Sequence, residues 1–111
     1  LLIYHGVDQD MVYRLGVMLA DLKDPGRLLY RSPNPTLSPE TEFEIGKKGE
    51  YWVPNVVFTC GAVPAEDKDI LDIDDEILVY YGASDTYICL ATGTVGDMIP
   101  QQVRERILSR R

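Results

Sequence analysis

Apolar residues fall along this chain in short runs of four to eight, broken by proline, glycine and aspartate, a spacing that favours strands over helices. "LLIYHGV" reads as a first strand, "DQD" as a turn, and "MVYRLGVMLADL" as the returning strand, rich in the β-branched and aromatic residues that suit a pleated surface. In "KDPGR", Pro25 presets φ for a turn and Gly26 is expected to accept positive φ. "LLYRS" predicts another short strand, and the prolines of "PNPTLSPETEFE" forbid an uninterrupted helix. After the charged "IGKKGE" comes "VPNVVFTCGAV", so rich in valine that it predicts a strand buried on both faces. "PAEDKDILDIDD" reads as a solvated acidic loop, since it lacks the glycine and closing glutamate of a calcium-binding EF-hand loop. "EILVYYG", "ASD" and "TYICLATGT" predict a second hairpin. The tail "VGDMIPQQVRERILSRR" carries the helical signal, with Val103 and Ile107 four apart, Pro100 suited to a first turn and arginines at the negative end of the helix dipole.

Two phrases in this pattern match. "LIYHGVD" and "LVYYGASD" align as apolar, apolar, tyrosine, aromatic, glycine, small residue and then an acid, and each precedes a returning strand that starts near Tyr13 or Tyr87. An internal repeat of a strand-turn-strand unit follows, at a wider interval than the about 40 to 50 residues of common blade repeats. Radial repetition of antiparallel sheets is how propellers avoid long open edges, so the two units read as blades of a propeller of which this chain holds part. Leu1 already lies inside an apolar run, and the chain is expected to open within a strand, as a cut piece would.

Composition narrows the partners. A net charge of -7 repels phosphodiester backbones and anionic lipid headgroups, so neither nucleic acid nor a membrane surface is an expected partner. No apolar run reaches the ~18 residues of a membrane span, and no signal peptide is visible. Cys60 and Cys89 sit in strand-like runs without metal or redox spacing and are expected to be buried free thiols. No ligand spacing calls for a metal or an organic cofactor.

The candidate chemistry lies at the ends of the repeated strands. His5 and Asp85 occupy comparable places in the two units, where both would face one cavity. Each has a plain structural reading as well. A histidine beside glycine at a strand end is commonly a hydrogen-bonded structural residue, an aspartate in a hairpin turn commonly bonds its own backbone, Tyr13 and Tyr81 suit cross-strand packing, and Asn55 suits a turn cap. No nucleophile elbow, phosphate loop or zinc spacing is present.

Taken together, "LLIYHGVD", "VYRLGVMLADLKDPGRLLYRSPNPTLSP", "VPNVVFTCGA" and "ILVYYGASDTYICLATG" resemble the C-terminal part of the inverting mannoside phosphorylases and related enzymes of glycoside hydrolase family 130, over residues 1–99. The resemblance implies an all-β fold, a partial five-bladed β-propeller of which residues 1–99 form about the last two blades, followed by a short helical tail over 100–111. It implies phosphorolysis of a non-reducing β-mannoside by inorganic phosphate, a co-substrate rather than a cofactor, to give α-mannose 1-phosphate in the cytoplasm. His5 in "YHG" and Tyr13 in "VYR" then match phosphate-binding positions, and Asp85 in "YYGASDT" matches a position that contacts mannosyl hydroxyls. The loop between His5 and Tyr13 is short for the family, which leaves the linkage and acceptor open. The family's general acid and paired phosphate-binding arginines belong to blades upstream of this region, so the chain alone is expected to be inactive, with open blade edges that favour self-association. A β-mannoside hydrolase of the same family and a non-catalytic carbohydrate-binding module are the alternatives.

Overall fold

A computed structural model describes residues 1–46 and 53–109. Most of the charged "IGKKGE" stretch and the last two residues of the tail fall outside the described residues. Among the described residues six strands form two antiparallel meanders. The first contains β1 (Leu2–Val7), β2 (Tyr13–Ala20) and β3 (Leu28–Arg31), and the second contains β4 (Val57–Pro64), β5 (Glu76–Ala83) and β6 (Tyr87–Thr94), each in sequence order. Both repeated phrases form the first strand of a hairpin, β1 with β2 and β5 with β6, as the alignment predicts.

Alternation builds the core. Ile77, Val79, Tyr81 and Ala83 of β5 point the same way and are all buried, while the residues between them are not. They meet Leu15 of β2 and Val57 of β4 in one cluster. Fully burying a side chain of this kind is worth about 1.5–3 kcal/mol, which makes this layer the main source of cohesion between the sheets.

Three features differ from the pattern's expectations. Within β4 only Val57 is fully buried, and Phe58, Cys60, Gly61, Ala62 and Val63 are exposed. The strand is therefore not buried on both faces, because β4 is an edge strand of its sheet in this chain and its outer face carries no covering layer. For the same reason Cys60 is exposed, and Cys89, in the other edge strand β6, is only partly buried; both thiols are free. In the β2–β3 turn Arg27 N donates to Asp24 O at 2.8 Å around Pro25 and Gly26, yet Gly26 does not take positive φ.

The proline-rich excursion is pinned rather than loose. Leu15 N donates to Leu37 O at 2.9 Å and Thr36 N to Leu15 O at 2.8 Å, so it crosses β2 before closing in a single helical turn, α1 (Glu42–Ile45). The tail is two helices, α2 (Val95–Met98) and α3 (Gln101–Ser109). Ile99 between them is extended, as a residue before proline must be, and Pro100 precedes the first turn of α3 instead of lying inside it.

Candidate functional site

The two meanders are tied together at one end. Tyr13, the first residue of β2, bridges to Val56 just before β4, and Tyr13 N donates to Asn55 O at 3.0 Å. On the other side Ser84 N donates to Val56 O at 3.1 Å. The turn between β1 and β2, the entrance to β4 and the turn between β5 and β6 are thereby gathered in one place.

The first turn is organised by Asp8. Its carboxylate accepts from Asp10 N at 2.8 Å, from Val12 N at 3.0 Å and from the Arg14 guanidinium. The Arg14 hydrogen bond and then the Val12 amide hold the Asp8 carboxyl below its ordinary pKa. This turn sets the spacing of His5, paired with Leu15, and Tyr13, paired with Val7.

His5 and Tyr13 do come together, and Phe58 joins them. The His5 ring lies 3.8 Å from that of Phe58, tilted by 31°, and 6.2 Å from that of Tyr13, which is itself 6.2 Å from Phe58. His5 Nδ1 is buried without a hydrogen-bond partner.

Asp85 stands in the β5–β6 turn, exposed, while His5 lies within β1. The two are not in comparable places: His5 aligns with Tyr81, and the turn acid of the first unit is Asp8. Asp85 belongs to the same end nonetheless, since Phe58 pairs with Gly82 and Val57 with Ala83, the residues that lead into its turn. Ser84 and Asp85 both take positive φ, 52° and 50°, with Thr86 N bonded to Ala83 O. Asn55 (φ 58°) and Met11 (φ 62°) do the same, so all four described non-glycine residues with positive φ lie at this one end. Each such setting costs about 1–2 kcal/mol, and such strain persists where surrounding contacts over-determine it.

Those contacts centre on Glu44, which is 2% exposed. Its carbonyl accepts from Ser84 Oγ at 2.7 Å and from Val56 N at 3.1 Å, and its carboxylate Oε1 accepts from Thr41 N and Oγ1 at 3.3 and 3.0 Å. Its other oxygen, Oε2, is buried without a partner. Burial first, and then the nearby Glu44 charge, push the Tyr81 hydroxyl up to about 12. Tyr81 is thus the packing residue its cross-strand reading describes, 7% exposed.

Phe58 and Glu44 are the residues the sequence reading missed. Phe58 was legible as the outward neighbour of the inward Val57, and Glu44 as the last residue of a Thr-x-x-Glu capping box starting at Thr41. Among the described residues no three His, Cys, Asp or Glu side chains gather as a metal site needs, and no helix is long and apolar enough to cross a membrane.

Comparison with known proteins gives consistent matches. The family model described as beta-1,4-mannooligosaccharide phosphorylase matches residues 1–102. Beta-1,2-mannobiose phosphorylase of Thermoanaerobacter sp. (strain X514) is 52% identical over 91 residues, which cover 82% of this chain and 26% of that protein. Beta-1,4-mannooligosaccharide phosphorylase of Ruminococcus albus is 31% identical over 100 residues, covering 86% of this chain and 27% of that one. Among solved structures, beta-1,2-mannobiose phosphorylase from Listeria innocua in complex with beta-1,2-mannobiose superposes with a TM-score of 0.70 at 29% identity, over 86% of this chain and 24% of that one. The chain spans about a quarter of the length of these relatives.

Proposed function

The chain belongs to glycoside hydrolase family 130, and from that premise we propose that the protein carrying it is an inverting mannoside phosphorylase in which this region forms about two blades of a five-bladed propeller. In the reaction a phosphate oxygen bonds to the anomeric carbon of a non-reducing β-mannosyl unit as the bond from that carbon to the glycosidic oxygen breaks. The departing oxygen takes a proton from a carboxylic acid, and α-mannose 1-phosphate leaves with the shortened acceptor. The acid and the arginines that share the phosphate belong to the part of the family's fold that lies upstream of this region.

The observation that carries the reading is the grouping of His5 and Tyr13 around Phe58. In it the His5 ring is held by stacking and its Nδ1 is shut away without a partner, leaving Nε2–H to donate to a phosphate oxygen. Tyr13 supplies a second donor beside it, its hydroxyl. Asp85, in its fixed turn, accepts from hydroxyls of the mannosyl unit and so orients the sugar for in-line attack. The sugar phosphate formed is charged and useful only where it is retained, which favours the cytoplasm.

The test is to incubate the full-length protein with β-mannosyl disaccharides, with and without phosphate. Phosphate-dependent mannose 1-phosphate, lost in His5→Ala, is the expected result. Free mannose in either condition would identify a hydrolase, and no product would favour a carbohydrate-binding module.

A further inference from the structure

The residues assigned to phosphate and to sugar stand on different sheets, yet the main-chain bonds that set them converge on α1. Glu44 O receives Ser84 Oγ and Val56 N, and Ile45 O receives Asn55 N at 2.9 Å. Asn55 O in turn receives Tyr13 N, and Val56 O receives Ser84 N, the residue beside Asp85. The Tyr13 side and the Asp85 side of the site therefore both hang from the two carbonyls of one helical turn. A single turn of four residues has almost no helical stability of its own. Its backbone bonds, from Glu44 N and Ile45 N to Thr41 O and from Gly46 N to Glu42 O, are reinforced by the Glu44 side chain, folded back so that Oε1 accepts from the amide and hydroxyl of Thr41.

We propose that Glu44 is a positioning residue of the site: its carboxylate, clasped by Thr41, holds α1 in the form that presents the Glu44 and Ile45 carbonyls, and through them fixes Tyr13 and Asp85 relative to each other. This rests on the phosphorylase reading above, in which Tyr13 serves phosphate and Asp85 the mannosyl unit. The role asks for an acceptor oxygen at Oε1 and not for charge. Charge is instead felt by Tyr81, which the Glu44 carboxylate disfavours from ionising.

The experiment compares Glu44→Gln and Glu44→Ala in the full-length protein by steady-state phosphorolysis, with phosphate and mannoside varied in turn. Glu44→Gln keeps the acceptor, and its two KM values should stay near those of the unaltered protein while Tyr81 ionises at lower pH. Glu44→Ala loses the clasp, and both KM values should rise by about fivefold with kcat changed less, because the acid lies elsewhere. Should Glu44→Ala not fold, Thr41→Val removes the hydroxyl half of the clasp from the exposed side and leaves the amide half, so a smaller rise in both KM values is expected, and Thr41→Ser, which keeps the hydroxyl, should leave them unchanged. The proposal is overturned if Glu44→Gln is as damaging as the clasp-breaking variant, or if Glu44→Ala and Thr41→Val leave both KM values unchanged. An unaltered protein that performs no phosphorolysis would remove the phosphorylase reading itself, and the positioning role with it.

Discussion

The imidazole of His5 and the ring of Phe58 are stacked at 3.8 Å although one side chain comes from β1 and the other from β4. This is a contact between the two meanders, made on the outward face of β4 where a packing residue has no core to fill. Phe58→Ala is expected to leave His5 free to turn, raising the KM for phosphate more than that for the mannoside. The accompanying loss of stability should be about 0.5–1.5 kcal/mol for the aromatic pair, in addition to the apolar area that the half-covered ring buries, read by denaturant titration. Equal rises in both KM values would show that Phe58 does not act through His5.

Tyr81 makes the fold sensitive to alkali. Its ordinary value of 10.0 is pushed up to about 12 by burial and by Glu44. A group whose folded pKa is raised contributes stability that is complete below the unfolded value and is lost as pH climbs through the folded one. Unfolding monitored by circular dichroism should therefore become easier between pH 10 and 12. Tyr81→Phe should flatten that dependence.

Asp8 works in the opposite direction. Its folded pKa lies below the ordinary 3.8, through Arg14 first and the Val12 amide second. Its contribution is present above that value and disappears as pH falls through the lower, folded one. Amide resonances of Asp10 and Val12, followed by NMR during acid titration, should shift together as the β1–β2 turn opens. In Asp8→Ala they should already be shifted at neutral pH, with a raised KM for phosphate, because the turn no longer sets the spacing of His5 and Tyr13.

Gly16 lies beneath the ring of Tyr4, whose hydroxyl accepts from Arg31 Nε at 3.1 Å. A Cβ at Gly16 would come within 2.6 Å of Tyr4 Cζ. Gly16→Ala should push that ring aside and break the Arg31 contact, at a cost of about 1–3 kcal/mol. A thermal melt that matches the parent protein would mean that the tyrosine swings away freely.

Much of this arrangement was legible in the order of residues. The repeated Tyr-aromatic-Gly phrase located both hairpins, because a strand that must bury alternate residues and then reverse leaves a recognisable spacing. The same phrase misled about equivalence, since His5 aligns with the buried Tyr81 and not with Asp85, and alignment says nothing of where a turn begins. The valine-rich run before Cys60 was misread for a related reason. Valine records a preference for strand geometry, whereas burial of β4 depends on what lies across from it, which is a matter of the whole fold. Glu44 escaped because a glutamate near prolines looks like solvated surface until its carbonyl is seen holding Ser84.

The bonds that carry Tyr13, Asn55 and Val56 into register are donated by backbone amides. Every amino acid except proline supplies that donor. The pairing of the two hairpins therefore asks nothing of the side chains at 55 and 56, which are constrained for other reasons: the positive φ of Asn55 and the burial of Val56. For the pairing itself what counts is the length of the segment and the absence of proline at the donors, so a single inserted residue would displace every one of these bonds at once.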